Sequence, residues 1–119
     1  MKKNLEKLQD FVNNMKNTSS LNEKKVIIDT IKEDKFIKKA INYALDPYKK
    51  YYVTSKNCKK NADICDMNSN YDDIFDLFDD LNNRTYTGHD AIAIVNGYVG
   101  EHKEYEDLIF SIIDRNLEI

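Results

Sequence analysis

Only one proline, Pro47, and three glycines, Gly88, Gly97 and Gly100, interrupt a chain of 119 residues. A β-sandwich or barrel needs a turn roughly every eight to twelve residues, so this scarcity of chain breakers argues for helices. It argues equally against a Gly-rich linker or a collagen-like segment. With 41% hydrophobic and 33% charged residues the chain can build a core and still solvate its surface, which is not the composition of a disordered segment. The length suits a single domain spanning residues 1–119. No apolar run approaches the ~20 residues that cross a bilayer, and Met1-Lys2-Lys3-Asn4-Leu5-Glu6 lacks the apolar stretch of a signal peptide. The expectation is a soluble, intracellular, all-α bundle of about six to seven short helices.

The periodicity supports this class. Leu5, Leu8, Phe11 or Val12, and Met15 recur at helical spacing over residues 3–16. Ser20-Leu21-Asn22-Glu23 is a capping box opening a helix of about 21–32, with Val26, Ile27 or Ile28, and Ile31 inward. Asp34 caps a third helix of about 35–45, carrying Phe36, Ile37, Ala40, Ile41, Ala44 and Leu45. Pro47 ends it, because the residue before proline disfavours helical dihedrals. Residues 54–70 read as polar and irregular. Asn70 is expected to cap Tyr71–Leu81, with Ile74, Leu77 or Phe78, and Leu81 on one face and aspartates on the other. Thr87-Gly88-His89-Asp90 is a second capping signature, for a helix reaching about Tyr98, and a last helix covers about 101–116.

The net charge of −3 conceals a division. Residues 1–60 hold 15 lysines and 7 acidic residues, whereas residues 61–119 hold Lys103, Arg84 and Arg115 against 14 acidic residues. A basic half can present a positive face to a polyanion, although lysine-rich solvated helix sides give the same count. Metal and catalytic chemistry find little support. Cys58 and Cys65 stand seven apart, His89 and His102 stand alone, and no C-x-x-C or H-x-x-x-H unit occurs. The aspartates of 71–81 lack the D-x-[DN]-x-[DN]-G pattern of a calcium loop. No Gly-rich phosphate loop or G-x-S-x-G elbow is present, so the residues point to a binding module without catalytic residues, metal or cofactor.

Two segments suit a polyanion. Between Tyr43 and Lys60, Lys49, Lys50, Lys56, Lys59 and Lys60 alternate with Tyr48, Tyr51 and Tyr52. Lysines supply phosphate contacts and tyrosines flat or hydroxyl contacts, although tyrosines turned into the core would satisfy the same pattern. The second segment is Arg84 with Thr87-Gly88 at a helix start, where backbone N–H groups and the positive dipole end favour phosphate. An ordinary helix cap is the competing reading there.

Taken in order, these segments resemble the N-terminal DNA-binding domain of bacteriophage ATP-dependent DNA ligases. Arg84-x-x-Thr87-Gly88-x-x-Ala91 is similar to that family's R-x-L-T-G-x-x-A signature. Nine residues after Gly88 comes Gly97-Tyr98, then a charged stretch, then the run from Leu108 through Asp114-Arg115-Asn116-Leu117-Glu118-Ile119, which is similar to the family's L-x-x-I-L-x-R-D-L-x-I-G run. Tyr43-x-x-x-Asp46-Pro47-Tyr48-x-x-Tyr51-Tyr52 looks like its Y-x-x-x-[DN]-P-[FY]-x-x-[FY] segment. Tyr86 stands where the family usually has Leu, and Asn116 where it usually has Asp.

The resemblance implies a monomeric helical bundle that grips double-stranded, nicked DNA through its backbone and minor groove. It implies contacts from Lys49, Lys50, Tyr52, Lys56, Arg84, Thr87, Gly88 and His89, with Asp114 and Arg115 structural. It also implies nick sealing by partner domains, the adenylation and OB-fold domains of a parent ligase, which would supply ATP and Mg²⁺ chemistry during replication, repair or recombination. The adenylated K-x-D-G motif is missing, and Lys103-Glu104-Tyr105-Glu106 does not replace it. The chain alone is therefore expected to be non-catalytic, and, if phage-encoded, to work in the host cytoplasm. The alternative expectation is a small phage helical adaptor docking a protein partner through Asp72, Asp73, Asp76, Asp79 and Asp80.

Overall fold

The computed structural model describes residues 2–66 and 71–117 and contains helices without a strand among them. In chain order these are α1 (Lys2–Lys16), α2 (Leu21–Ile31), α3 (Lys35–Leu45), α4 (Ser55–Lys60), α5 (Ile74–Asn82), α6 (Gly88–Glu101), a 3₁₀ turn (Lys103–Tyr105) and α7 (Glu106–Ile113). The all-α class and the compact bundle expected from periodicity are what the chain adopts.

Helix α7 is the hub, lying against α3, α4 and α6. Its sequence allows this, because Leu108, Ile109, Phe110, Ile112 and Ile113 are all buried and a helix apolar on most sides must be enclosed. Helix α6 buries Ala91, Ile92, Ile94, Val95, Gly97, Tyr98 and Val99. Around this pair, α1 contributes Leu5, Leu8, Phe11, Val12 and Met15, and α5 contributes Ile74, Phe75, Leu77, Phe78 and Leu81. Each large apolar side chain enclosed here is worth ~1.5–3 kcal/mol of transfer free energy.

Capping sets the boundaries. Ser20 accepts from the Glu23 N–H, and Asp34 accepts from the Ile37 N–H at 3.1 Å. Helix α3 stops at Leu45, with Asp46 extended at ψ 116°, as the following proline requires.

Five expectations need correction. Helix α2 buries no residue: Val26 and Ile28 are exposed and only Ile27 and Ile31 lean on the core, because α2 lies at the periphery against α1. Leu45, expected inward, is also exposed, at the last turn of α3. Residues 54–66 are not irregular throughout. Thr54 accepts from the Asn57 N–H to cap α4, whose Cys58 is buried, and Asn96 of α6 anchors the segment beyond it. Helix α5 begins at Ile74 under an Asp73 cap, and the last helix is divided by the 3₁₀ turn and ends at Ile113. Asn70 lies outside the described residues.

Helices α5 and α7 end alike. In α5 the Arg84 N–H bonds to the Leu81 carbonyl and the Thr85 N–H to that of Asp80. In α7 the Arg115 N–H bonds to the Ile112 carbonyl and the Asn116 N–H to that of Ser111. This crossed pair is the Schellman ending, which places one residue in the left-handed region and usually recruits glycine. Here arginines occupy it, Arg84 at φ 57° and Arg115 at φ 60°. Both side chains are directed onto residues 46–52.

Candidate nucleic-acid interface

Residues 46–53 connect α3 to α4 without regular structure, and the rest of the chain holds them in place. The Asp46 carboxylate accepts from the Tyr48 N–H at 2.9 Å, and the Asp46 carbonyl accepts from the Lys49 N–H at 3.1 Å, making a tight turn around Pro47. Arg115 donates Nη1–H to the Lys49 carbonyl at 2.8 Å and Nη2–H to the Asp46 carbonyl. Asn82 accepts from the Lys50 N–H at 2.9 Å, and Asp114 accepts from both the N–H and the hydroxyl of Ser55.

The two tyrosines of this segment part company. Tyr51 is buried, donates its hydroxyl to the Tyr43 carbonyl and packs against Phe78. Tyr52 is 56% exposed, adopts φ 61°, and meets the Arg84 guanidinium, whose Cζ lies 4.2 Å from the ring centroid. The sequence pattern left both orientations open.

Beside this pair lies an open cleft of about 630 Å³, whose lining includes Lys50, Tyr52 and Lys56, the apolar Tyr51, Val53 and Ile113, and Asp114 with Arg115. Among the described residues, the three non-glycine residues with left-handed dihedrals therefore belong to one place: Tyr52 and Arg115 line the cleft, and Arg84 sits on Tyr52. Such conformations cost ~1–3 kcal/mol each and gather at sites where geometry is functional.

The structure thus brings Lys50, Tyr52, Lys56 and Arg84 together. It leaves Lys49 outside that group, with its ammonium 4.4 Å from the Tyr43 ring centroid, and it turns Lys59 over Phe110 at 5.3 Å. Thr87, Gly88 and His89 are exposed at the start of α6, a few residues beyond Arg84. Thr87 occupies the cap position with extended dihedrals, but its hydroxyl makes no capping bond. Gly88 enters the helix at φ 57°, and the Asp90 N–H bonds to the Thr87 carbonyl at 3.2 Å.

The acidic side of α5 is partly spoken for. Asp79 accepts from the Tyr43 hydroxyl and Asp80 from the Tyr71 hydroxyl, each at 2.7 Å, and Asp73 caps the helix. Asp72 and Asp76 are exposed. Cys58 is buried and Cys65 exposed. Burial, with the Asp114 charge adding to it, pushes the Cys58 thiol up to about 11, a poor nucleophile at neutral pH. Among the described residues no group of three or more His, Cys, Asp or Glu is placed to hold a metal ion, and no helix is long and apolar enough to cross a membrane.

No pairing of distant residues was legible in advance. The Tyr52–Arg84 and Arg115–Lys49 contacts depend on left-handed backbones that arginine and tyrosine do not advertise, and the Asn96 anchor carried no sequence signal at all. The chain matches no family model, no curated protein and no solved structure.

Proposed function

We propose that this chain is a DNA-binding module, resembling the N-terminal domain of ATP-dependent DNA ligases, that holds duplex DNA through its phosphate backbone without catalysing a reaction itself. The observation that carries this reading is the convergence of its two polyanion segments: Lys50, Tyr52 and Lys56 from one and Arg84 from the other, 32 residues beyond Tyr52, meet on one face. Lysine and arginine there displace counterions and gain affinity from any sequence, the electrostatic term that dominates non-specific DNA binding. Thr87, Gly88 and His89 would extend the same footprint along the start of α6. In a parent ligase the nicked duplex would be held here while other domains, with ATP and Mg²⁺, sealed it.

The test is fluorescence anisotropy with labelled nicked and intact duplexes over a salt series. With about four phosphates engaged, log K should fall against log salt with a slope near −3.6. A Lys50→Glu/Lys56→Glu variant, reversing two exposed charges, should weaken binding by more than tenfold. Absence of binding at low salt and tens of micromolar protein overturns the reading.

A further inference from the structure

Beyond backbone contacts, the cleft has a chemistry that a duplex exterior does not use. A site that only neutralised phosphates would need exposed cations alone. Here the lining combines the apolar Tyr51, Val53 and Ile113 with Lys50 and Lys56. At its edge Tyr52 exposes more than half its surface, although its ring already carries a guanidinium 4.2 Å from its centroid. The one carboxylate in the cleft, Asp114, accepts from the Ser55 N–H and hydroxyl and keeps its negative charge, but Lys50, Lys56 and Arg115 outnumber it and leave the lining net positive.

We infer that this cleft takes a single unpaired nucleotide of a bound DNA, its base stacked on the Tyr52–Arg84 pair and its phosphate between Lys50 and Lys56. The inference rests on the DNA-binding reading and adds the form of DNA preferred. An aromatic ring offers its face to any base, whereas a paired base inside a duplex has both faces covered by its neighbours, so stacking rewards only a base outside the stack. Arg84 holds Tyr52 from one side, and Arg115 and Asn82 fix the backbone on which it stands, so little ordering is left to the moment of binding.

Two labelled duplexes of equal length test this, one fully paired and one carrying a single-nucleotide flap of 2-aminopurine, whose fluorescence falls when it stacks on an aromatic ring. The full chain should bind the flap duplex about tenfold more tightly and quench the aminopurine. Tyr52→Phe should keep both effects, and Tyr52→Leu should lose the preference and the quenching. Salt-sensitive binding of both duplexes with no preference and no quenching overturns this inference while the DNA-binding reading stands. Preference or quenching that survives Tyr52→Leu overturns it as well. Failure to bind either duplex overturns both readings.

Discussion

Arg115 donates a hydrogen bond of 2.8 Å to the backbone carbonyl of Lys49, 66 residues earlier in the chain, and reaches the Asp46 carbonyl with its other terminal nitrogen. One guanidinium thus fastens the end of α7 to the turn that begins the candidate interface. Two features oppose each other at this residue. Its left-handed backbone costs about 1 kcal/mol relative to glycine, while charge-assisted bonds to two carbonyls contribute ~1.5–3 kcal/mol each. The bonds win. Arg115→Gly should relieve the backbone and still destabilise the fold by about 2 kcal/mol, and Arg115→Ala by more, since alanine keeps the strain. Urea denaturation would show this as a lowered midpoint, and Arg115→Gly matching the wild type would remove the clamp from the account.

Arg84 occupies the same left-handed position at the end of α5, but its side chain lies on an exposed ring instead of part-buried carbonyls. A cation–π contact at such a site is worth only ~0.5–1 kcal/mol, about what the backbone loses. Arg84→Gly should therefore leave the thermal midpoint within a few degrees of wild type while weakening DNA binding several-fold. Two arginines in matching positions would then separate into a structural and a functional one. Loss of stability without loss of binding would reverse that assignment.

How far the sequence discloses this arrangement can be argued from particular elements. Helices α1 and α3 are legible because Leu5, Leu8 and Met15, and Ile37, Ala40 and Ala44, repeat at the helical period and face the core. Helix α2 has the same kind of pattern but sits at the edge, where periodicity does not reveal that Val26 and Ile28 have no core to face. Helix α4 escapes notice for the opposite reason, with Cys58 its sole buried residue and Thr54 its only local signal. The candidate residues were legible by type, since lysine, tyrosine and arginine clusters stand out. Their meeting was not, because the Schellman endings at Arg84 and Arg115 use a residue that no turn preference selects.

Asn96 shows how a polar residue can replace apolar periodicity. From α6 its amide nitrogen reaches the carbonyls of Cys58 and Asn61 at 3.2 Å and of Ile64 at 2.9 Å, holding α4 and the turn after it. Asn96→Ala leaves these carbonyls without that donor, at a cost of ~1–3 kcal/mol. The effect should be local. Hydrogen exchange should accelerate in residues 57–66 more than in α1 or α3, and uniform acceleration across the chain would argue against a dedicated anchor.

Alkaline pH should unfold the protein cooperatively. Burial is the main cause that pushes Tyr43 up to about 12, helped by its bond to the Asp79 carboxylate and by the charges of Asp79, Asp73 and Asp76. Burial also raises Tyr51, where the nearby Arg115 charge opposes it, and it raises Tyr71 and Tyr98. Because the folded value exceeds the unfolded one near 10, this stability is complete below pH ~10 and is lost as pH rises through about 12. Phenolate absorbance of these tyrosines should therefore appear together with the loss of helical circular dichroism. Gradual ionisation with helicity intact would contradict their enclosure.

The acid limb is expected to run through Asp34, which joins two roles. Its carboxylate caps α3 through the Ile37 N–H and pairs with the Lys7 ammonium of α1 at 2.7 Å. Partial burial works to raise its pKa, but the Lys7 hydrogen bond and charge, with the N–H groups of Ile37 and Phe36, outweigh it and hold the carboxyl below its ordinary 3.8. A depressed folded value means stability that is present above pH ~4 and lost as pH falls through the folded pKa. Asp34→Asn keeps a good capping oxygen and loses the ion pair, so its deficit relative to wild type should be small at pH 7 and should vanish near pH 2. Asp34→Ala also loses the cap and should cost ~1 kcal/mol at pH 7. Urea midpoints of the three proteins at both pH values decide this, and a deficit for Asp34→Asn that persists undiminished in acid would mean that the pair with Lys7 contributes nothing.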